Sequence, residues 1–144
     1  MDKSGRKITD LREGVELPPL VKSVVQENIN RYAEAARDFN PIHIDEEFAK
    51  KTPAGGTIAH GMLALAYVSQ MMTDAFGLDW VAGGKLDIRF KAPARPGDTL
   101  TVSGQIVRID SNDDRKTVCC DVTCVNQKDE VVVLGKAEVG LIGD

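Results

Sequence analysis

Gly61-Met62-Leu63-Ala64-Leu65-Ala66-Tyr67-Val68-Ser69-Gln70-Met71-Met72-Thr73-Asp74-Ala75-Phe76 is the most apolar run of the chain, and its reading decides the fold. Met62, Leu63, Leu65, Tyr67, Val68, Met71, Met72 and Phe76 cover almost the whole circumference of a helix, and Gly77 is placed to cap its end. A helix apolar on every side must be enclosed. The residues that follow supply the enclosure. Leu86, Ile88 and Phe90 alternate with Lys85, Asp87, Arg89 and Lys91. Residues 100–109, 117–125 and 131–142 also read as strands, separated by turn-forming segments at 93–98, 110–114 and 126–129. In the first of these three strands the alternation changes phase near Gly104, which predicts a bulge there. The expected architecture is α+β: an antiparallel sheet curved around one long helix.

Upstream, residues 26–37 carry Ile29, Tyr32, Ala33 and Ala36 as a helical stripe. Pro41 disfavours helical geometry at Asn40, so this helix must end near Asp38 or Phe39. A short helix follows, with Asp45 as its cap, Glu46 and Glu47 at its positive end and Lys50 and Lys51 at its negative end. Pro53 and Gly55-Gly56 stop it. No internal repeat or low-complexity segment interrupts the chain. Its 144 residues suit one domain, 1–144, with one sizeable core.

Composition excludes disorder. A net charge of −4 gives no electrostatic reason to expect nucleic acid. Cys119, Cys120 and Cys124 are odd in number, crowded into one Val-rich strand, and match neither a disulfide framework nor a zinc spacing. They read as buried, reduced thiols. The N-terminus carries no signal-peptide pattern, and the apolar stretch at 62–68 is too short to cross a bilayer. A cytoplasmic location and no membrane association are the expectation.

The chemistry gathers around the two histidines. In Asp38-Phe39-Asn40-Pro41-Ile42-His43 a carboxylate stands at a helix end, Asn-Pro breaks the helix, and an imidazole returns five residues later. A turn of that kind can bring both groups to one water. Hydration of a conjugated double bond needs such a pair, since one proton leaves water while one reaches the neighbouring carbon. His60-Gly61 opens the buried helix. Gly61 leaves its backbone N–H unobstructed at a helix N-terminus, where it can polarise a carbonyl and hold the charge that develops on oxygen.

The stretch Arg37-Asp38-Phe39-Asn40-Pro41-Ile42-His43-Ile44-Asp45, followed by Ile58-Ala59-His60-Gly61-Met62-Leu63, resembles the signature of the MaoC-like (R)-specific enoyl-CoA hydratases and 3-hydroxyacyl dehydratases. The resemblance runs from Leu11-Arg12-Glu13-Gly14 through Arg95-Pro96-Gly97-Asp98 to the last strand. It implies a hot-dog fold, a homodimer with joined sheets, and syn hydration of trans-2-enoyl thioesters. By residue match it puts the catalytic Asp at Asp38, the catalytic His at His43 and the oxyanion glycine at Gly61, with Asn40 holding the loop. The acyl thioester of CoA or acyl-carrier protein is then the substrate, with no separate cofactor and no metal. Two positions depart from the pattern: Ala36-Arg37 replaces a small pair before the Asp, and Gly55-Gly56-Thr57 stands where Pro often precedes His-Gly.

His60 reads as a support that hydrogen-bonds the preceding loop. Ser69, Met72 and Phe76 share one helix face and are candidates to bound an acyl pocket, though core packing explains the last two equally well. Lys85 and Arg89, with Lys91 and Arg95, are candidates to meet phosphates, against the alternative of a solvated strand face. Two competing functions remain open on sequence. A thioesterase of the same fold commonly puts a carboxylate on the central helix, where only Asp74 is available near the far end. A non-catalytic acyl-thioester-binding subunit of a heterodimer would have no need of Asp38 and His43.

Overall fold

Residues 5–142 are described by the computed structural model. In chain order their elements are β1 (Leu20–Ser23), α1 (Gln26–Ala36), α2 (Pro41–Ile44), α3 (Glu46–Lys50), α4 (Gly61–Phe76), α5 (Leu78–Gly83), β2 (Gly84–Phe90), β3 (Thr99–Asn112), β4 (Arg115–Val125) and β5 (Val131–Leu141). The strands form one antiparallel sheet in the order β1-β3-β4-β5-β2. Helix α4 has the bounds that the sequence predicts and packs on one face of it.

Alternation along the strands builds the apolar layer under α4. Leu100, Val102 and Ile106 on β3, Val118, Val122 and Cys124 on β4, and Val133, Ala137 and Val139 on β5 are all buried. From α4 they meet Leu63, Val68, Met71, Met72, Ala75 and Phe76. Removing a side chain such as Phe76 or Met72 from water contributes about 1.5–3 kcal/mol each. The enclosure is one-sided. Met62 is 52% exposed, and Ala66, Gln70, Thr73 and Asp74 also face outward. A single sheet covers one side of a helix, and the residues left on the other side are mainly small or polar.

The bulge lies farther along β3 than the sequence suggests. The register with β4 shifts between Ile106 and Arg108, whereas Gly104 stays in phase and faces inward. Gly104 has a packing reason instead: a Cβ there would come within 3.0 Å of both Leu17 Cδ1 and Met71 Cε. After the bulge the phase reverses, so Ile109 packs against the core while Val107 is partly exposed.

Three elements carried too little periodicity to be predicted. Strand β1 spans only four residues and is defined by its pairing with β3. Helix α2 is also four residues, begun by Pro41 at its first position. Pro41 therefore opens a new helix as well as ending the previous one. Helix α5 follows Gly77, and its Trp80 indole N–H donates to Ser69 Oγ at 2.9 Å. All three cysteines are free and buried, as expected for strand thiols. Burial pushes Cys120 up to about 12 and Cys124 up to about 11.

Candidate active site

Helix α1 ends with Arg37 in the left-handed region, φ 58°, and the Asp38 N–H returns to the Ala33 carbonyl at 3.0 Å. That reversal turns the chain out of the helix at Asp38. Two side-chain turns then carry it to His43. Asp38 Oδ1 accepts from the Asn40 N–H at 3.3 Å, and Asn40 Oδ1 accepts from the Ile42 N–H at 3.1 Å. Asn40 is thus the N-cap of α2, which explains the Asn-Pro pair: the first residue caps and the second needs no donor. Asp45 caps α3 in the same way, accepting from the Phe48 N–H at 3.1 Å.

His43 is half-buried, and its Nδ1 lies 2.8 Å from the Ile58 carbonyl. A carbonyl can only accept, so Nδ1 carries a proton, and in the neutral ring Nε2 is the nitrogen with the lone pair. The Ile58 N–H in turn donates to the Ile42 carbonyl at 3.2 Å, fastening the loop before α4 to helix α2. His60 is buried, and its Nε2–H donates to the main-chain carbonyl of Asp38 at 3.1 Å. One face of its ring stacks on His43, and Tyr32 of α1 makes a tilted contact with it at 4.8 Å. The side-chain donor atoms of Asp38, His43 and His60 lie within 4.8 Å of one another.

Gly61 is the first residue of α4, so its N–H precedes the first intrahelical bond. The Phe90 ring presses on this position, since a Cβ on Gly61 would lie 3.1 Å from Phe90 Cδ1 and Cε1. Both residues line an open cavity of about 300 Å³, shared with His43, His60, Ala64 and the 91–94 segment. An imidazole and the N-terminus of α4 therefore border the same space, with a carboxylate beside the imidazole. Neither Asp nor Glu of α4 lines it.

The other sequence candidates fall elsewhere. Met72 and Phe76 are fully buried core residues, and Ser69 is engaged by the Trp80 indole, so none of the three lines this cavity in the single chain. Their shared helix face points at the sheet, which is why core packing claims it. Lys85 borders a different groove with Glu138 and Ile142, and Arg89 lies exposed on β2. Lys91 does line the cavity, while the Arg95 guanidinium bonds the Ala54 carbonyl. Sequence reasoning missed Phe90 as a cavity wall, although a large aromatic at a strand end just before Lys-Ala-Pro was a usable signal. It also missed the contact of Tyr32 with His60, for which helical periodicity carries no signal.

Known proteins resemble this chain in sequence and in fold. Residues 6–128 match a family model described as MaoC like domain. The chain is 30% identical over 130 residues to an (R)-specific enoyl-CoA hydratase of Rhodospirillum rubrum, covering 90% of this chain and 88% of the relative. It is 32% identical over 120 residues to a 3-hydroxybutyryl-CoA dehydratase of Methylorubrum extorquens, covering 83% and 74% respectively. Among solved structures, an unliganded R-hydratase of Pseudomonas aeruginosa superposes with a TM-score of 0.80 at 27% identity, covering 93% of this chain and 84% of that one. The sheet wrapped on α4 is the hot-dog fold. Among the described residues no helix is long and apolar enough to cross a membrane.

Proposed function

Because the chain belongs to the MaoC-like family, we propose that it is an enzyme, a hydro-lyase that adds water syn to trans-2-enoyl thioesters to give (R)-3-hydroxyacyl thioesters. It runs in reverse as a 3-hydroxyacyl-thioester dehydratase. The observation that carries this reading is the placement of the Asp38 side chain beside His43, which lines a cavity shared with the N-terminus of α4.

The steps follow from what each group has free. The thioester oxygen accepts from the Gly61 N–H, which draws electron density from C3. Water is held between the Asp38 carboxylate and His43 Nε2. Nε2 takes one of its protons as the oxygen bonds to C3, and the electron pair of the double bond moves toward the carbonyl oxygen. The imidazolium then returns that proton to C2 on the same face, and the pair ends in its starting state. Asp38 holds the water and balances the transient positive charge beside it. His60 and Asn40 hold these groups in place, and Lys91 at the cavity mouth suits an anionic carrier. No separate cofactor or metal enters this reading.

A second copy of the chain is part of the proposal. Strands β1 and β2 leave the two ends of the sheet open, and an open strand edge invites pairing. The test is a steady-state assay of the purified chain on trans-2-enoyl-CoAs of increasing length, with chiral analysis of the product and light scattering of the same sample. Formation of the (R)-3-hydroxyacyl thioester by a dimer is expected. Release of free CoA and acid, or an (S) product, would overturn the reaction assignment, and a monodisperse monomer at assay concentration would overturn the dimer.

A further inference from the structure

Gln26, the first residue of α1, makes three hydrogen bonds with its side-chain amide. Nε2 donates to the main-chain carbonyl of His43 at 2.7 Å and to Asn30 Oδ1 at 2.9 Å, while Oε1 accepts from the Thr57 hydroxyl at 2.7 Å. The orientation of the amide is forced, because the opposite one would set its oxygen against the His43 carbonyl. Thr57 is only 4% exposed, and its own N–H donates to Glu46 Oε2 at 3.1 Å. The residue after Thr57 is Ile58, whose carbonyl receives the His43 Nδ1 proton.

One amide therefore grips both partners of the bond that decides which His43 nitrogen is bare. It holds His43 through that residue's own carbonyl, and it holds Ile58 through the residue before it. We propose that Gln26 is a positioning residue for His43, clamping the 40s helices to the 57–60 loop so that Nε2 stays unprotonated and aimed into the cavity. The proposal rests on His43 being a catalytic base. Without the clamp, the loop is held to the 40s helices only through the Ile58 and Thr57 N–H groups, and the acceptor opposite the Nδ1 proton is less firmly fixed. A hydrogen bond to a second group is what sets and orients a working imidazole.

The experiment compares the wild-type chain with Gln26→Leu, Thr57→Val and the double variant. Gln26→Leu should lower kcat about tenfold while KM stays within about twofold, the split expected when alignment rather than binding is lost. In 15N-edited spectra without substrate, the Nδ1 proton of His43 should exchange slowly in the wild type and fast in the variant. Thr57→Val breaks the same clamp from its other end, and it carries the test if Gln26→Leu does not fold. Thr57→Ser, which keeps the hydroxyl, should lose less than Thr57→Val. The double variant should be no worse than the larger single loss, since both act on one bond. Folded single variants with wild-type kcat and a slowly exchanging Nδ1 proton would overturn the proposal. A wild-type chain inactive on every enoyl thioester would instead sink the hydratase reading, and the imidazole spectra would still decide whether Gln26 sets the tautomer.

Discussion

The imidazole of His60 lies against that of His43, ring centres 3.8 Å apart and planes inclined by 27°. His60 thereby touches the proposed base with its face and the Asp38 main chain with its edge, through Nε2–H. The two contacts are separable. His60→Gln can keep a donor near the Asp38 carbonyl but loses the stack, while His60→Phe keeps the stack and loses the donor. Asp38 is exposed, so the second change removes one hydrogen bond to a carbonyl that water can reach. Its effect should be about 0.5–1.5 kcal/mol of stability, read from urea unfolding. If both variants keep wild-type stability and turnover, the supporting role given to His60 is wrong.

Asp38 and His43 are expected to act on one water. Asp38→Asn keeps the shape and removes the charge; His43→Gln keeps a polar group and removes the proton relay. Each should lower kcat by on the order of 10²–10⁴. The double variant should lose far less than the product of the two single losses, as residues acting as a unit do. Strictly multiplicative losses in a kinetic double-mutant cycle would show two independent roles.

Gly61 is expected to tolerate no side chain. A methyl group at this position would fall 3.1 Å from the Phe90 ring, which is 51% exposed and has room to turn aside. Gly61→Ala should therefore fold, yet it would push Phe90 into the space where the thioester carbonyl must approach the N–H. A loss in kcat/KM of at least about 10²-fold is the expected result, the scale of losing one oxyanion donor. Phe90→Ala in the same background should restore part of the activity. No restoration would mean that the methyl group itself, rather than the displaced ring, blocks the site.

How much of this was legible in the residues depended on periodicity and on spacing. Helix α4 could be read to its end residues because sixteen positions repeat one pattern between His60 and Gly77. Asp38 and His43 could be paired because the Asn-Pro turn between them is local. Phe90 could not be tied to Gly61 in the same way, since their contact depends on β2 pairing with β5. Met72 and Phe76, candidates either to bound an acyl pocket or to pack the core, show a related limit. Helical spacing shows which residues share a face but not what that face meets, and here it meets the sheet. Gln26 left no trace of its proposed role, because the two partners that it would clamp, His43 and Thr57, lie 17 and 31 residues away.

The cysteines give a pH prediction. Burial raises Cys120 from the ordinary thiol value of 9.0 to about 12 and Cys124 to about 11. The folded chain keeps these protons where the unfolded chain has released them, so unfolding gains on folding as pH climbs. The associated stability is fully present below pH 9 and is lost progressively between 9 and about 12. Urea midpoints should fall over that range, and the fall should shrink in a Cys120→Val, Cys124→Val double variant. An unchanged slope in that variant would assign the alkaline loss to other groups.

The strand order also sets a timetable. Strands β3, β4 and β5 pair with their sequence neighbours, but β2 precedes all three and must wait for β5 before it has anything to pair with. Local pairings close cheaply and distant ones do so late. During refolding, amides in β4 should become protected from pulsed hydrogen exchange before those of Leu86, Ile88 and Phe90; simultaneous protection would contradict this order. Since Phe90 and Lys91 wall the cavity, a nascent chain that has released everything up to β4 from the ribosome already carries Asp38, His43 and Gly61 but still lacks one side of its substrate chamber. Catalytic competence would then begin only with the synthesis of the last strand.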